Sequence, residues 1–407
     1  MHALRTLAFA GWVGLVLPAN AAVVESPTLT LGEVIDHIVQ RRGSDRLVQA
    51  RLNQADAQSA AADSLLAGAP AISLRYQNDT LGSDDGLQEW ETGLELPLWN
   101  PGQREARRGL AEGTRSDANA QNQTLRWEIA GQLRDRLWAW ELAELRADLA
   151  ERAVQSALAL EADVKKRVEL GELPRTDLLL ASEETLARRT EHADALAAAQ
   201  EAATHYQALT GRSELPADRR EIAAADTPSL SDTHPLLAQG RASVAKARAE
   251  RDVARSERRE NPSLTLGSRH EKPLRGAGYD NSIGITLRLP LGSSAHEAAP
   301  LAAAETGVTE AELELAQLHH RLETDLQTAA LRLDQGKQTL KLARQAQSLA
   351  TESLRLARVA FQAGESDLVS LLRARDRALS AERALREREL ELNRYVAQLN
   401  QAAGVLP

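Results

Sequence analysis

Histidine and acidic side chains that share one helical turn are the natural place to look for chemistry, and His319, His320 and Glu323 meet that description. An imidazole and a carboxylate three or four residues apart project from one face of a helix and can hold a divalent ion such as zinc. A polar helix face also brings such residues together by composition alone, so no metal ligand is assigned here. The sequence contains no cysteine, which removes disulfides, thiolate metal sites, thiol nucleophiles and a lipidated N-terminal Cys. No phosphate-cradling glycine loop, nucleophile elbow or zinc-protease histidine pair occurs. No catalytic residue and no cofactor is expected, and the chain reads as a non-enzyme.

Charge and targeting narrow the class further. His2 and Arg5, an apolar run over 7–17 and the small residues Ala19-Asn20-Ala21 read as a signal peptide over 1–21, so the chain is expected to be exported. Without that segment, 48 basic residues face 58 acidic ones, a net charge of −10 that argues against a nucleic-acid partner. The apolar run is too short to span a bilayer as a helix, and no later stretch is longer. Aromatic residues make up only 3% of the chain, while Ala, Leu, Glu, Gln and Arg dominate. That is the composition of long helices packed side by side, not of a globular core.

The remaining sequence is one plan written twice. Leu94-Glu95-Leu96-Pro97-Leu98 answers Leu287-Arg288-Leu289-Pro290-Leu291, and Pro97 and Pro290, Gly171 and Gly364, and Gly211 and Gly404 are each 193 residues apart. Pro70 and Pro262 are 192 apart. The expected division is a first repeat over 22–210, an irregular linker over 211–234 rich in Pro, Asp, Ser and Thr, and a second repeat over 235–407.

Four segments alternate with the period of a strand, about 71–79, 88–97, 263–271 and 281–290. Leu94, Leu96, Ile283, Ile285 and Leu287 fall on apolar faces, opposite Glu89, Glu91, Glu95, Arg75, Arg269 and Arg288. Segments of that length with a charged face suit a membrane strand between lipid and a wet lumen, with Tyr76, Trp90, Trp99 and Tyr279 near the segment ends as an interfacial girdle. Four strands cannot close a barrel, and an open edge cannot sit in lipid, so further chains must complete the ring.

Between the strands lie helices of unusual length. Asn100-Pro101 reads as an N-cap followed by proline at the first helical position, opening a helix to about Leu170. Its counterpart runs over 297–363, and shorter helices are expected over 44–68, 176–209, 235–260 and 366–402. Thr30 and Glu33 form a capping box for another short helix to Arg42. Leu371, Ala378, Leu385, Leu392 and Leu399 recur every seven residues, as in laterally packed or coiled helices. The fold class is mostly α, with a tandem-duplicated protomer of four strands and long coiled helices.

This plan resembles the TolC-like outer-membrane efflux protein family across the chain. The resemblance rests on the duplication, the strand-end Leu-Xaa-Leu-Pro-Leu followed by a long helix, and the turns Arg167-Val168-Glu169-Leu170-Gly171-Glu172 and Phe361-Gln362-Ala363-Gly364-Glu365-Ser366-Asp367. It implies a homotrimer with a twelve-strand barrel in outer-membrane lipid and a twelve-helix tunnel in the periplasm. That trimer would be the passive exit duct of a tripartite pump, fed by a periplasmic adaptor and an inner-membrane, proton-driven transporter. It also implies that Gly171, Glu172, Gly364 and Glu365 touch the adaptor.

The family's acidic rings six and nine residues after the second tip glycine are replaced here by Ser370 and Arg373. Asp177 and Asp367 are the candidates for a charged constriction instead. The loop between Tyr76 and Trp90 and the strand end Leu98-Trp99-Asn100-Pro101-Gly102-Gln103-Arg104 resemble the subgroup working with metal-exporting pumps. The rival reading is a periplasmic adaptor or coiled-coil scaffold, also exported and helical, which would place one helical hairpin within a soluble β-rich body.

Overall fold

Gly171 and Gly364, both in the left-handed region (φ 79° and 77°), each stop a helix that has run uninterrupted for more than sixty residues. The computed structural model of the chain describes residues 24–26, 28–224, 229–291 and 294–407. The signal peptide read over 1–21, and Pro228 of the linker, lie outside them. Chain order is β1 (Val24–Ser26), α1 (Leu31–Arg42), α2 (Ser44–Asp63), β2 (Ala71–Asn78), β3 (Gln88–Pro97), α3 (Gln103–Glu169) and α4 (Arg175–Thr210). There follow β4 (Glu214–Pro216), α5 (Pro235–Ser256), β5 (Ser263–Lys272), β6 (Asp280–Arg288), α6 (Ser294–Gln362) and α7 (Leu368–Ala402). No described helix is long and apolar enough to cross a membrane.

The long helices α3 and α6, 67 and 69 residues, are each about 100 Å at 1.5 Å per residue. Against α3 pack α2 towards the strands and α4 towards the glycine turn; α6 is flanked in the same way by α5 and α7. A short pair of 20 and 36 residues, or 22 and 35, thus nearly matches one long helix. Contacts of α3 with α5 and α7 join the two repeats. The largest core lies midway, where α1 and β4 cover α3: Val34, Ile35, Ile38, Leu133, Leu137, Trp140 and Tyr206 are all buried there. The expected capping box opens α1, with Thr30 Oγ1 accepting from Glu33 N–H and Glu33 accepting from Thr30 N–H.

Several expectations need correction. The first long helix starts at Gln103, with Gly102 (φ 77°) as its N-cap, not at Pro101. Asn100 instead directs its amide to Arg259 O at 2.9 Å and Asn261 Oδ1 at 3.2 Å, fastening this helix start to the residues before β5. The helices before the first strand of each repeat end at Asp63 and Ser256, short of 68 and 260. Ala67 N–H already donates to Pro97 O, so those last residues extend alongside β3 and cannot stay helical. The stretch after Gly211 is not wholly irregular, since β4 pairs in parallel with β1 and Asp218 accepts from Leu31 N–H at 2.8 Å.

The main sheet has the order β2-β3-β5-β6, antiparallel throughout. The central pair β3 and β5 joins one repeat to the other, with Leu94 opposite Leu266 and Gly93 opposite Gly267. Both outer strands, β2 and β6, keep one edge without a partner.

Candidate functional site

Period-2 alternation gives this sheet two unlike faces. On one face the cross-strand rows read Ile72, Leu94, Leu266, Ile285, then Leu74, Thr92, Ser268, Ile283, with Leu96, Leu264 and Leu287 below. No described element covers them: Ile72, Leu74, Leu94, Leu266, Ile283, Ile285 and Leu287 are all exposed. Tyr76 and Trp90 close this face at the hairpin end, their rings 4.4 Å apart. Trp90 and Leu96 are six residues apart, about 20 Å along a strand, against the roughly 25 Å apolar band of an outer-membrane barrel.

The opposite face is ionic. Arg269 donates to Glu89 at 2.8 and 3.0 Å and pairs with Glu271 at 2.9 Å, while Arg75 lies 3.5 Å from Glu91. Buried beneath Arg269, Glu89 is the one carboxylate of the sheet withdrawn from water. Trp99 belongs to the helical end: its indole donates to Ser64 O at 3.0 Å and Arg107 stacks over the ring at 5.3 Å.

The far end is built by two copies of one helix stop. Gly171 N–H donates to Val168 O and Glu172 N–H to Arg167 O; Gly364 N–H donates to Phe361 O and Glu365 N–H to Ala360 O. This paired bond pattern ends a helix on a left-handed glycine. A Cβ at either glycine would meet no atom within 4 Å, so backbone conformation, not crowding within the protomer, selects glycine there. Val164, Ala181, Phe361, Leu368 and Leu371 form one core beneath both turns, and Arg167 stacks over Phe361 at 5.1 Å and lies 3.5 Å from Glu172. The structure therefore brings Gly171, Glu172, Gly364 and Glu365 to a single exposed tip.

Asp177 and Asp367 sit just beyond that tip. Asp367 is the N-cap of α7, accepting from Ser370 N–H at 2.8 Å, and this hydrogen bonding holds its carboxyl below the ordinary range. Asp177 stands in the first turn of α4, where an acid favours the helix dipole.

Nothing in the sequence pattern pointed to the ionic cluster farther up the tip. Arg188 reaches Glu184 at 2.6 Å, Glu191 at 3.0 Å and Asp376 across on α7, while Arg383 of α7 returns to Glu191. Burial works to raise the Glu191 pKa, but hydrogen bonds from Arg383 and Arg188 outweigh it and the carboxyl titrates below its ordinary range. Arg375 is buried and donates to Ser156; burial first, then the neighbouring Arg358, lower its pKa. These side chains are ordinary members of a charged helix surface until α4 and α7 are placed side by side.

Midway, Arg134 grips Glu221 with two bonds of 2.8 and 2.6 Å, both residues buried, and Asn400 donates to the same carboxylate at 3.0 Å. On α6, His319 and His320 place Nδ1 3.6 and 3.5 Å from Glu323 Oε2. All three are exposed, and among the described residues theirs is the one group with metal-ligand spacing.

Comparison with known proteins follows this geometry. The family model described as outer membrane efflux protein matches residues 228–405. No curated protein sequence matches. Among solved structures, the CmeC outer membrane channel of Campylobacter jejuni superposes with a TM-score of 0.70 at 14% identity, covering 99% of this chain and 94% of that one. The outer membrane protein VceC of Vibrio cholerae gives 0.72 at 17% identity, covering 92% and 96%. The open state of the MtrE outer membrane channel of Neisseria gonorrhoeae gives 0.68 at 17% identity, covering 94% and 93%. The chain carries an outer membrane efflux protein domain over residues 228–405 and has the fold of the TolC-like efflux channels along its length.

Proposed function

We propose that this outer-membrane efflux channel protomer closes with two further copies into a passive exit duct. The observation that carries the reading is the four-stranded sheet: apolar and exposed on one face, ionic on the other, with two unpartnered edges. Unpaired backbone at both edges is incompatible with lipid unless the next copy's strand pairs with it. Three copies give twelve strands continuous with helices about 100 Å long, so substrate would cross the periplasmic space inside a helical wall and the outer membrane inside the barrel.

In this reading the tip meets a periplasmic adaptor, which couples the duct to an energised inner-membrane pump. Exposed Glu172 and Glu365 beside the two glycine turns are the contact positions, and Asp177 and Asp367 supply negative charge at the narrow end. A photo-crosslinking residue at Glu172 or Glu365 in actively pumping cells is expected to give an adaptor adduct, with the same residue at Glu89 in the sheet as the control. Adducts from Glu89 and none from the tip would put the docking surface elsewhere.

A further inference from the structure

The two repeats do more than resemble one another, because the structure shows one of the two kinds of contact they make. Within the protomer, β3 and α3 of the first repeat pack against β5 and α5 of the second. The mirror contact, β6 and α6 against β2 and α2, has no partner inside one chain.

Strand pairing fixes how the repeats map onto each other. Ala71 pairs with Glu95 and Ser263 with Arg288. These are equivalent pairs when β2 maps to β5 by 192 residues and β3 to β6 by 193, the spacings of the prolines and glycines in the sequence. The helices obey the same map: Leu322, Leu326, Leu333 and Leu340 of α6 are buried, and so are their counterparts Ile129, Leu133, Trp140 and Ala147 of α3.

On the other side of the long helices the repeats differ in burial alone. Trp138 and Leu149 of α3 are buried, whereas their counterparts Leu331 and Leu342 of α6 are 64% and 63% exposed. Leu331, Leu342, Leu349 and Leu356 form an exposed stripe opposite the buried one. A comparable stripe on α4 carries Leu179 and Leu186, both exposed, while their counterparts Leu372 and Leu379 on α7 are half-buried.

We propose that the next copy of this chain covers the α6 stripe in the same register that joins α3 to α5 within one protomer. In that inner contact a Cβ at Gly113 would lie 3.2 Å from Lys246 Cα and 3.6 Å from its Cβ, and Ser243 donates to Asp117 at 3.0 Å. Carried over by the repeat spacing, Thr306 meets Gln54 of a neighbouring copy, and Glu310 meets Arg51. Thr306 and Gln54 are exposed, and neither Glu310 nor Arg51 forms an ion pair among the described residues. A polar contact inside the protomer thus becomes an ion pair between protomers, oriented so that only the α6 edge fits the α2 edge. A head-to-tail contact of this kind closes into a ring and leaves no edge free.

This register rests on the trimeric duct proposed above, and the test separates the two. Since the chain has no cysteine, Gln54→Cys with Thr306→Cys introduces the only thiols, and the inner contact sets a Cβ separation suited to a disulfide. After mild oxidation in the membrane, the pair is expected to yield covalent dimer and trimer on a non-reducing gel, where each single substitution yields protomer alone. Gln54→Cys with Thr324→Cys, on the same stripe about 27 Å along α6, should give none.

The second variant needs no new bond: Arg51→Glu or Glu310→Arg alone should lower the temperature at which the detergent-solubilised trimer dissociates, and the two together should restore it. Trimers that cross-link through Thr324 and not Thr306, or fail to regain stability in the charge swap, would overturn the register and leave the duct intact. Protein that is folded but never trimeric would overturn both.

Discussion

At the scale of single residues, the buried His234 shows how this long molecule manages its joint. The imidazole caps α5 by accepting from Leu236 N–H on Nδ1 at 3.2 Å, packs edge-on against Trp127 at 5.3 Å, and leaves Nε2 buried without a partner. Directly against it lies Gly404 (φ 79°) at the end of α7; a Cβ there would come within 2.5 Å of the ring, so α7 can stack on α5 only through glycine. Burial pushes the His234 pKa below its ordinary 6.5. Protonation would also destroy the acceptor at Nδ1 and set a positive charge at the positive end of a helix. The unfolded chain therefore takes up the proton first, and stability present above pH 6.5 is lost as pH falls towards the folded-state value. Melting temperatures recorded from pH 8 to 5 are expected to fall more steeply for the native chain than for His234→Asn, which keeps a side-chain cap. Parallel curves for the two would show that another group governs acid sensitivity.

At the scale of elements, the strands make the sharpest claim, because neighbouring residues are assigned to opposite solvents. Leu94→Arg or Ile285→Arg would place a charge against lipid and cost about 2 to 4 kcal/mol near the bilayer midplane. Glu95→Arg and Thr286→Arg would face the wet lumen and are expected to fold and insert normally. Urea titration of barrel insertion reads the difference, and equal losses on both faces would refute the sidedness. The four strands, the long helices and the tip glycines were legible because each is a periodic or repeated pattern: Leu94 and Leu96 alternate with Glu95, and Gly171 answers Gly364. Helix starts were less legible. Asn100-Pro101 carries good capping chemistry, yet Asn100 is drawn to Arg259 O and Asn261 across the repeats, a partner 159 residues away that no local pattern reveals. The same holds for Arg134 with Glu221 and Arg188 with Asp376, ordinary charges in sequence that become buried or bridging only through packing.

At the scale of the whole molecule, one protomer is a sector of a wall. Its helices have apolar faces on both lateral sides, its sheet has lipid-type and water-type faces, and both sheet edges are unsatisfied, so every lateral surface calls for another copy. Burying those edges in a ring satisfies the backbone in lipid and covers the exposed leucines of α4 and α6 at once. The repeat then gives a helical wall of nearly uniform height, because each short pair matches one long helix. The most direct measurement is the mass of the protein extracted from outer-membrane fractions in mild detergent, by light scattering corrected for bound detergent. Three protomers in the unheated sample, dissociating to one on heating, is the expected result. A folded single protomer, or a protein recovered only in the soluble periplasmic fraction, would contradict the duct.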